Sequence, residues 1–227
     1  RLFSNVGKFK VLLVKRYKLS ELYNTFIEFR RFSMVSVPEA ILNIGSSQLP
    51  VIIVAMYAAG AEAGFLFLAM RILVIPTRML GSSVGQVFIS EAPKKFAEGS
   101  LRQFTLRIVL LSLKISTIPL LACFFAGMFL FSPLFGEEWA RAGEILALLV
   151  PAAYLQFVSS SISYSFHVLD KIKIALYLQF VGFFLRVVPL PLLALYEAPY
   201  LVETFAACSL IFQALFLATI FKTMRKV

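Results

Sequence analysis

Apolar residues in this chain come in long blocks rather than in alternation, and charged residues mark where the blocks end. Between Glu39 and Glu62 lie 22 residues without a formal charge, between Lys114 and Glu137 another 22, between Glu144 and Asp170 25, and between Glu203 and Lys222 18. A hydrocarbon core about 30 Å thick is crossed by about 20 helical residues. Four membrane spans follow from that count. Two further blocks are interrupted only by arginine: about 64–90, with Arg71 and Arg78, and about 174–196, with Arg186. The expected spans are therefore 40–58, 64–90, 108–131, 145–168, 174–196 and 199–221. Backbone groups in lipid must be satisfied within the spanning structure, and the blocks lack a period of two, so helices are expected rather than a barrel. The fold class read from the pattern is all-α integral membrane with six transmembrane helices.

Composition agrees: 60% of the 227 residues are apolar and 15% are charged, against about 45–50% and 25% in soluble domains. The formal net charge of +10 changes the picture once it is sorted by position. Eight of the 22 basic residues lie within residues 1–31, and nine more follow spans two, four and six: Lys94, Lys95, Arg102, Arg107, Lys171, Lys173, Lys222, Arg225 and Lys226. The opposite loops hold Glu62, Glu137, Glu138, Glu144 and Glu197, with Arg141 as their one base. Basic loops stay on the cytoplasmic side, which places both ends of the chain there and predicts a multi-pass protein of the cytoplasmic (inner) membrane. Residues 1–37 then read as a basic, helical cytoplasmic connector lying on anionic lipid headgroups, and 38–227 as the membrane lobe. Nucleic acid is set aside as a partner. The chain opens on Arg1 and is expected to be a piece of a longer product.

Ionisable groups at bilayer depth are costly and usually face a cavity or a partner. Arg78 lies near the middle of span two, and Arg71 lies seven residues away, so the two share a helix face about 10 Å apart along the axis. Ser82 continues that stripe. Arg186 is equally central in span five. Arginine suits bidentate contact with phosphate, so Arg71, Arg78 and Arg186 are candidate contacts for an anionic, phosphate-bearing substrate. The alternatives are pairing with carboxylates of a missing partner lobe or snorkelling to an interface. Lys114 is close enough to the span's end to snorkel.

Uncharged polar residues gather on span one (Asn43, Ser46, Ser47, Gln48) and span four (Tyr154, Gln156 and a serine run). Asn43, Gln48, Ser82, Tyr154 and Gln156 are candidate cavity-lining residues for sugar hydroxyls; membrane serines more often serve helix contacts. Five of the six spans contain proline, consistent with kinked, cavity-lined helices. GSSVG, Gly81 to Gly85, reads as a small-residue packing pattern. SPLFGEEWARAGE reads as a short external helix with Trp139 at the interface. Cys123 and Cys208 read as apolar fillers, and His167 as a packing histidine. There is no phosphate-cradling glycine loop, HExxH or nucleophile elbow, so neither an enzyme nor a metal or cofactor is expected.

The stretch PEAILNIGSSQLPVIIVAMYAAGAEAGFLFLAMRILVIPTRMLGSSVGQVFISEA, followed by LFGEEWARAGEILALLVPAAYLQFVSSSISYSF, resembles the second half of bacterial polysaccharide flippases. These are the O-antigen and capsule exporters of the multidrug/oligosaccharidyl-lipid/polysaccharide superfamily. The specific pieces are NIGSSQLPV, the pattern AxRxxxxPxxxLGxxVGQVFxxEA from Ala69 to Ala92, and FGEEWxxAG; the likeness runs from about Arg31 to Asp170. A departure is RRFSMVSVPEAI, where the family would carry proline directly after the aromatic residue. The resemblance implies the carboxy-terminal lobe of a two-lobe transporter of twelve to fourteen helices. Its implied cargo is an undecaprenyl-pyrophosphate-linked oligosaccharide, flipped by alternating access. Expected partners are that lipid-linked substrate, membrane lipids and an amino-terminal lobe of the same protein, with glycan polymerase and chain-length proteins as candidates. The competing readings are a multidrug exporter of the same superfamily and a non-transporting scaffold of a glycan assembly complex.

Overall fold

The computed structural model describes residues 19–58, 60–196 and 200–224. Residues 1–18 of the basic connector expected over 1–37 lie outside the described residues, as do Glu197, Arg225 and Lys226. All regular structure among the described residues is helical: α1 (Leu19–Tyr57), α2 (Glu62–Ala97), α3 (Leu101–Phe129), α4 (Phe131–Phe135), a 3-10 turn (Glu137–Trp139), α5 (Ala140–Ile162), α6 (Ser165–Val168), α7 (Ile172–Val187), α8 (Pro189–Leu195) and α9 (Leu201–Met224). The chain forms two compact units, Arg1–Pro38 and Glu39–Val227. The second holds the bundle described below.

Five stretches are long and apolar enough to cross a bilayer: Ser36–Tyr57, Leu101–Phe129, Glu137–Val168, Ile172–Leu195 and Leu201–Met224. The bent helix α2 makes a sixth, its halves Glu62–Thr77 and Leu80–Ala97 inclined at 47°. The fold is thus an all-α integral membrane bundle. The bend follows Pro76, which has no N–H to give to the carbonyl one turn back and whose ring crowds it. Beside it, Thr77 Oγ1 donates to the carbonyls of Leu73 (2.7 Å) and Val74 (3.1 Å), side-chain bonds added at the bend. Pro189 opens α8, where a missing N–H costs nothing, and divides the fifth span into α7 and α8.

Helix α5 is the hub, packed against α3, α2 and α9. It is buried around most of its circumference, from Ala142 to Ile162, as an all-round apolar helix must be. Close packing rests on backbone contact. A Cβ at Gly143 would collide with the Gly127 carbonyl and with Phe131, and one at Gly127 with the Gly143 carbonyl. Only glycines let α3 and α5 approach so closely. The small-residue signal at Gly81 to Gly85 is half realised: a Cβ at Gly81 would touch Phe157 and Ser160, whereas one at Gly85 would meet none of the described residues of another helix within 4 Å. The expected short helix before span four is α4 plus the 3-10 turn, separated by Gly136 at φ 96°, a left-handed turn that suits glycine.

Two apolar cores lie along the bundle. One gathers Leu66, Leu120, Ile145, Leu146, Leu190 and Phe205; the other Phe88, Ile108, Phe166, Leu178, Phe212 and Phe216. The sequence positions between them, at mid-span, carry the buried polar groups Ser112, Ser116, Ser159, Ser161, Arg186, Ser209 and Gln213. This polar layer is where the candidate site sits.

Candidate functional site: an arginine-lined cavity at mid-span

A cavity of about 350 Å³ opens among α1, α2, α5, α7 and α9, at the lower end of the volumes typical of ligand pockets. Of the expected site residues, Asn43, Gln48, Arg71, Gln156 and Arg186 all line it. Four helices, α1, α2, α5 and α7, therefore bring two arginines and three amides to one volume. Ser82 and Tyr154 do not line it. Ser82 is exposed further along α2. The Tyr154 hydroxyl lies 3.1 Å from Thr117 Oγ1 and donates to the Leu113 carbonyl at 3.3 Å, so it is turned to α3. Arg78 belongs to α2, and its side chain lies outside the described residues.

Arg186 is the most constrained cation. It is 6% exposed. Its Nε donates to the Gly182 carbonyl one turn back (3.1 Å), and its guanidinium lies over the Phe212 ring, 4.3 Å from the centroid. Its Nη2 is buried with no hydrogen-bond partner. Arg71 is exposed and stacks over Phe67, one turn back on α2, at 4.8 Å. Among the described residues neither arginine has a carboxylate within ion-pair distance, and no carboxylate lines the cavity. A buried N–H left unmade is costly, and an unpaired buried cation costs more. The site is electropositive, and no anionic acceptor lines it among the described residues.

Polar lining residues outside the sequence-based set include three on α9 and α2. Ser209 and Gln213 are one turn apart on α9, and Thr77 sits at the α2 bend. Gln213 Oε1 accepts from Ser159 Oγ at 2.8 Å. That bond leaves the amide NH2 as the uncommitted end of Gln213, adding another donor. Ser209 Oγ, like Arg186 Nη2, is buried without a partner. Two polar residues at i and i+4 in the middle of span six were the signal for this pair.

Arg141 lies apart from the cavity, where it joins three helices. Nε donates to Glu62 on α2 (2.9 Å), Nη2 to Glu203 on α9 (2.6 Å) and Nη1 to Glu144 on its own helix (3.2 Å). Glu62 and Glu203 stand in the first turns of their helices, where the dipole favours an acid. The remaining charged pairs among the described residues, Lys94 with Glu91 and Lys95 with Glu98, are local and largely exposed. Lys114 is exposed and does not line the cavity. Cys123 and Cys208 are free thiols, and His167 stacks on Tyr164 at 5.1 Å. Among the described residues no group of His, Cys, Asp and Glu could hold a metal ion.

Residues 3–144 match the family described as "Polysaccharide biosynthesis protein". No match was found among curated proteins or among solved structures.

Proposed function

The chain belongs to the polysaccharide biosynthesis protein family, and from that premise we propose that it is one lobe of a transporter flipping an undecaprenyl-pyrophosphate-linked oligosaccharide. The substrate is an O-antigen, capsule or exopolysaccharide repeat unit, and the membrane is the cytoplasmic one. Movement is by alternating access against an amino-terminal lobe, a mode in which substrate sites lie near the bilayer midplane between lobes. The observation that carries this reading is the mid-span cavity with Arg71 and Arg186 and no carboxylate. A pyrophosphate supplies the acceptor oxygens that these guanidiniums lack, and Asn43, Gln48 and Gln156 offer amide donors and acceptors to sugar hydroxyls.

The same charge count argues against a multidrug exporter, because two unpaired cations repel the cationic substrates such exporters carry. A static scaffold would need partners to satisfy the cavity, and its arginine variants would reduce complex recovery rather than transport. The test is deletion of the full-length gene. The proposal expects lipid-linked repeat units to build up on the cytoplasmic face while surface glycan is lost. Unchanged surface glycan, with no build-up, would sink it.

A further inference from the structure

We propose that Phe212 and Gly182 are positioning residues for the anion subsite: together they hold Arg186, a cavity-lining residue of whose nitrogens only Nε is hydrogen-bonded, so that its guanidinium is presented to an oxyanion. The inference rests on reading the cavity as an anion site. It adds two residues that do not line the cavity.

A free arginine side chain has four rotatable bonds, and ordering it on binding costs about 0.5–1.5 kcal/mol, equivalent to a two- to tenfold loss of affinity. In this bundle that ordering is already done. The Gly182 carbonyl takes the Nε proton at 3.1 Å, and the Phe212 ring supports the guanidinium plane at 4.3 Å. One bond and one plane fix the direction of the remaining nitrogens, as guanidinium stacking on an aromatic face does generally. Gly182 acts twice. It provides that carbonyl, and its missing side chain admits Phe212, whose ring a Cβ at 182 would overlap.

Phe212 is itself held by an edge-on contact with Phe216 (5.9 Å between centroids, 63°). Phe216 in turn meets Phe166 edge-on at 5.7 Å. The second apolar core thus ends in an aromatic platform under Arg186. Arg71 differs, because its platform, Phe67, is on its own helix and both are exposed.

The experiment measures inorganic pyrophosphate binding by calorimetry to the full-length protein in detergent, with thermal stability recorded for every variant. Phe212→Leu should weaken pyrophosphate binding about two- to tenfold. Phe88→Leu, a substitution of a fully buried ring in the same core with no contact to Arg186, should lower stability and leave binding within twofold. In an Arg186→Met background, Phe212→Leu should cause no further loss of the residual affinity, since Phe212 acts only through Arg186. Gly182→Ala should mimic Phe212→Leu. Equal losses in Phe212→Leu and Phe88→Leu, or additive losses of Phe212→Leu and Arg186→Met, would overturn the positioning role while leaving the anion site standing. Absence of pyrophosphate binding by the parent, or binding unaffected by Arg186→Met, would overturn the anion reading and this inference with it.

Discussion

Replacing Arg141 with leucine removes the one guanidinium that ties α2, α5 and α9 together, and leaves Glu62, Glu144 and Glu203 facing one another. The three pairs are unequal. Glu144 is 62% exposed and on the same helix, so its pair contributes little. Glu62 and Glu203 are 27% and 34% exposed, opposite a guanidinium at 34%. Such pairs fall between exposed ones, worth at most about 1 kcal/mol, and buried ones, whose breaking costs about 3–5 kcal/mol. About 1 kcal/mol for each interhelical pair gives about 2 kcal/mol, before repulsion among the stranded carboxylates is added. For a domain of this size that corresponds to a fall in Tm of roughly 4–8 °C. The assay is scanning fluorimetry of the purified protein in one detergent, with Arg141→Lys and the double variant Arg141→Leu/Glu203→Gln alongside. Lysine keeps the charge without the three-way fork and should fall between parent and leucine. The double variant should recover part of the loss, because it removes one stranded charge. A Tm for Arg141→Leu within 1 °C of the parent would refute the reasoning.

Other substitutions probe the packing and the site. Gly143→Ala forces a methyl group into the Gly127 carbonyl and Phe131, and should cost about 1–3 kcal/mol in thermal or denaturant unfolding. Tyr154→Phe removes a hydroxyl bonded to α3 rather than to the cavity; stability should fall by about 1 kcal/mol, with glycan export unchanged. Arg71→Ala should reduce export by about tenfold or more, the usual value of a charge-assisted hydrogen bond, as read from surface glycan at matched protein levels.

The helices were legible in the sequence because the bilayer imposes a length on each apolar block, and charge within one is costly and therefore rare. The break in span five is likewise set by Pro189. Which polar groups converge was only partly legible. Arg71, Arg186, Asn43, Gln48 and Gln156 could each be picked out as unusual at depth, but their meeting in one cavity depends on how α1, α2, α5, α7 and α9 pack. Tyr154 shows the limit: it belongs to the polar run of span four, yet its position on α5 aims it at Thr117. Ser209 and Gln213 went unmarked because one serine and one glutamine in an apolar helix look like packing until Arg186 is found beside the same cavity. Arg141 read as a lone base among acidic loops, and its three-way bonding requires helix ends separated by many residues to meet. The Gly127 and Gly143 contact has no motif, since the two glycines lie on different helices.

The central claim is that the mid-span arginines recognise the anionic part of an exported glycan carrier. Its most direct test is complementation of a deletion strain with the full-length gene carrying Arg186→Met, at membrane levels matched to the parent. The account predicts loss of most surface glycan, with lipid-linked repeat units retained on the cytoplasmic face. Parent-level surface glycan with no such retention would contradict it.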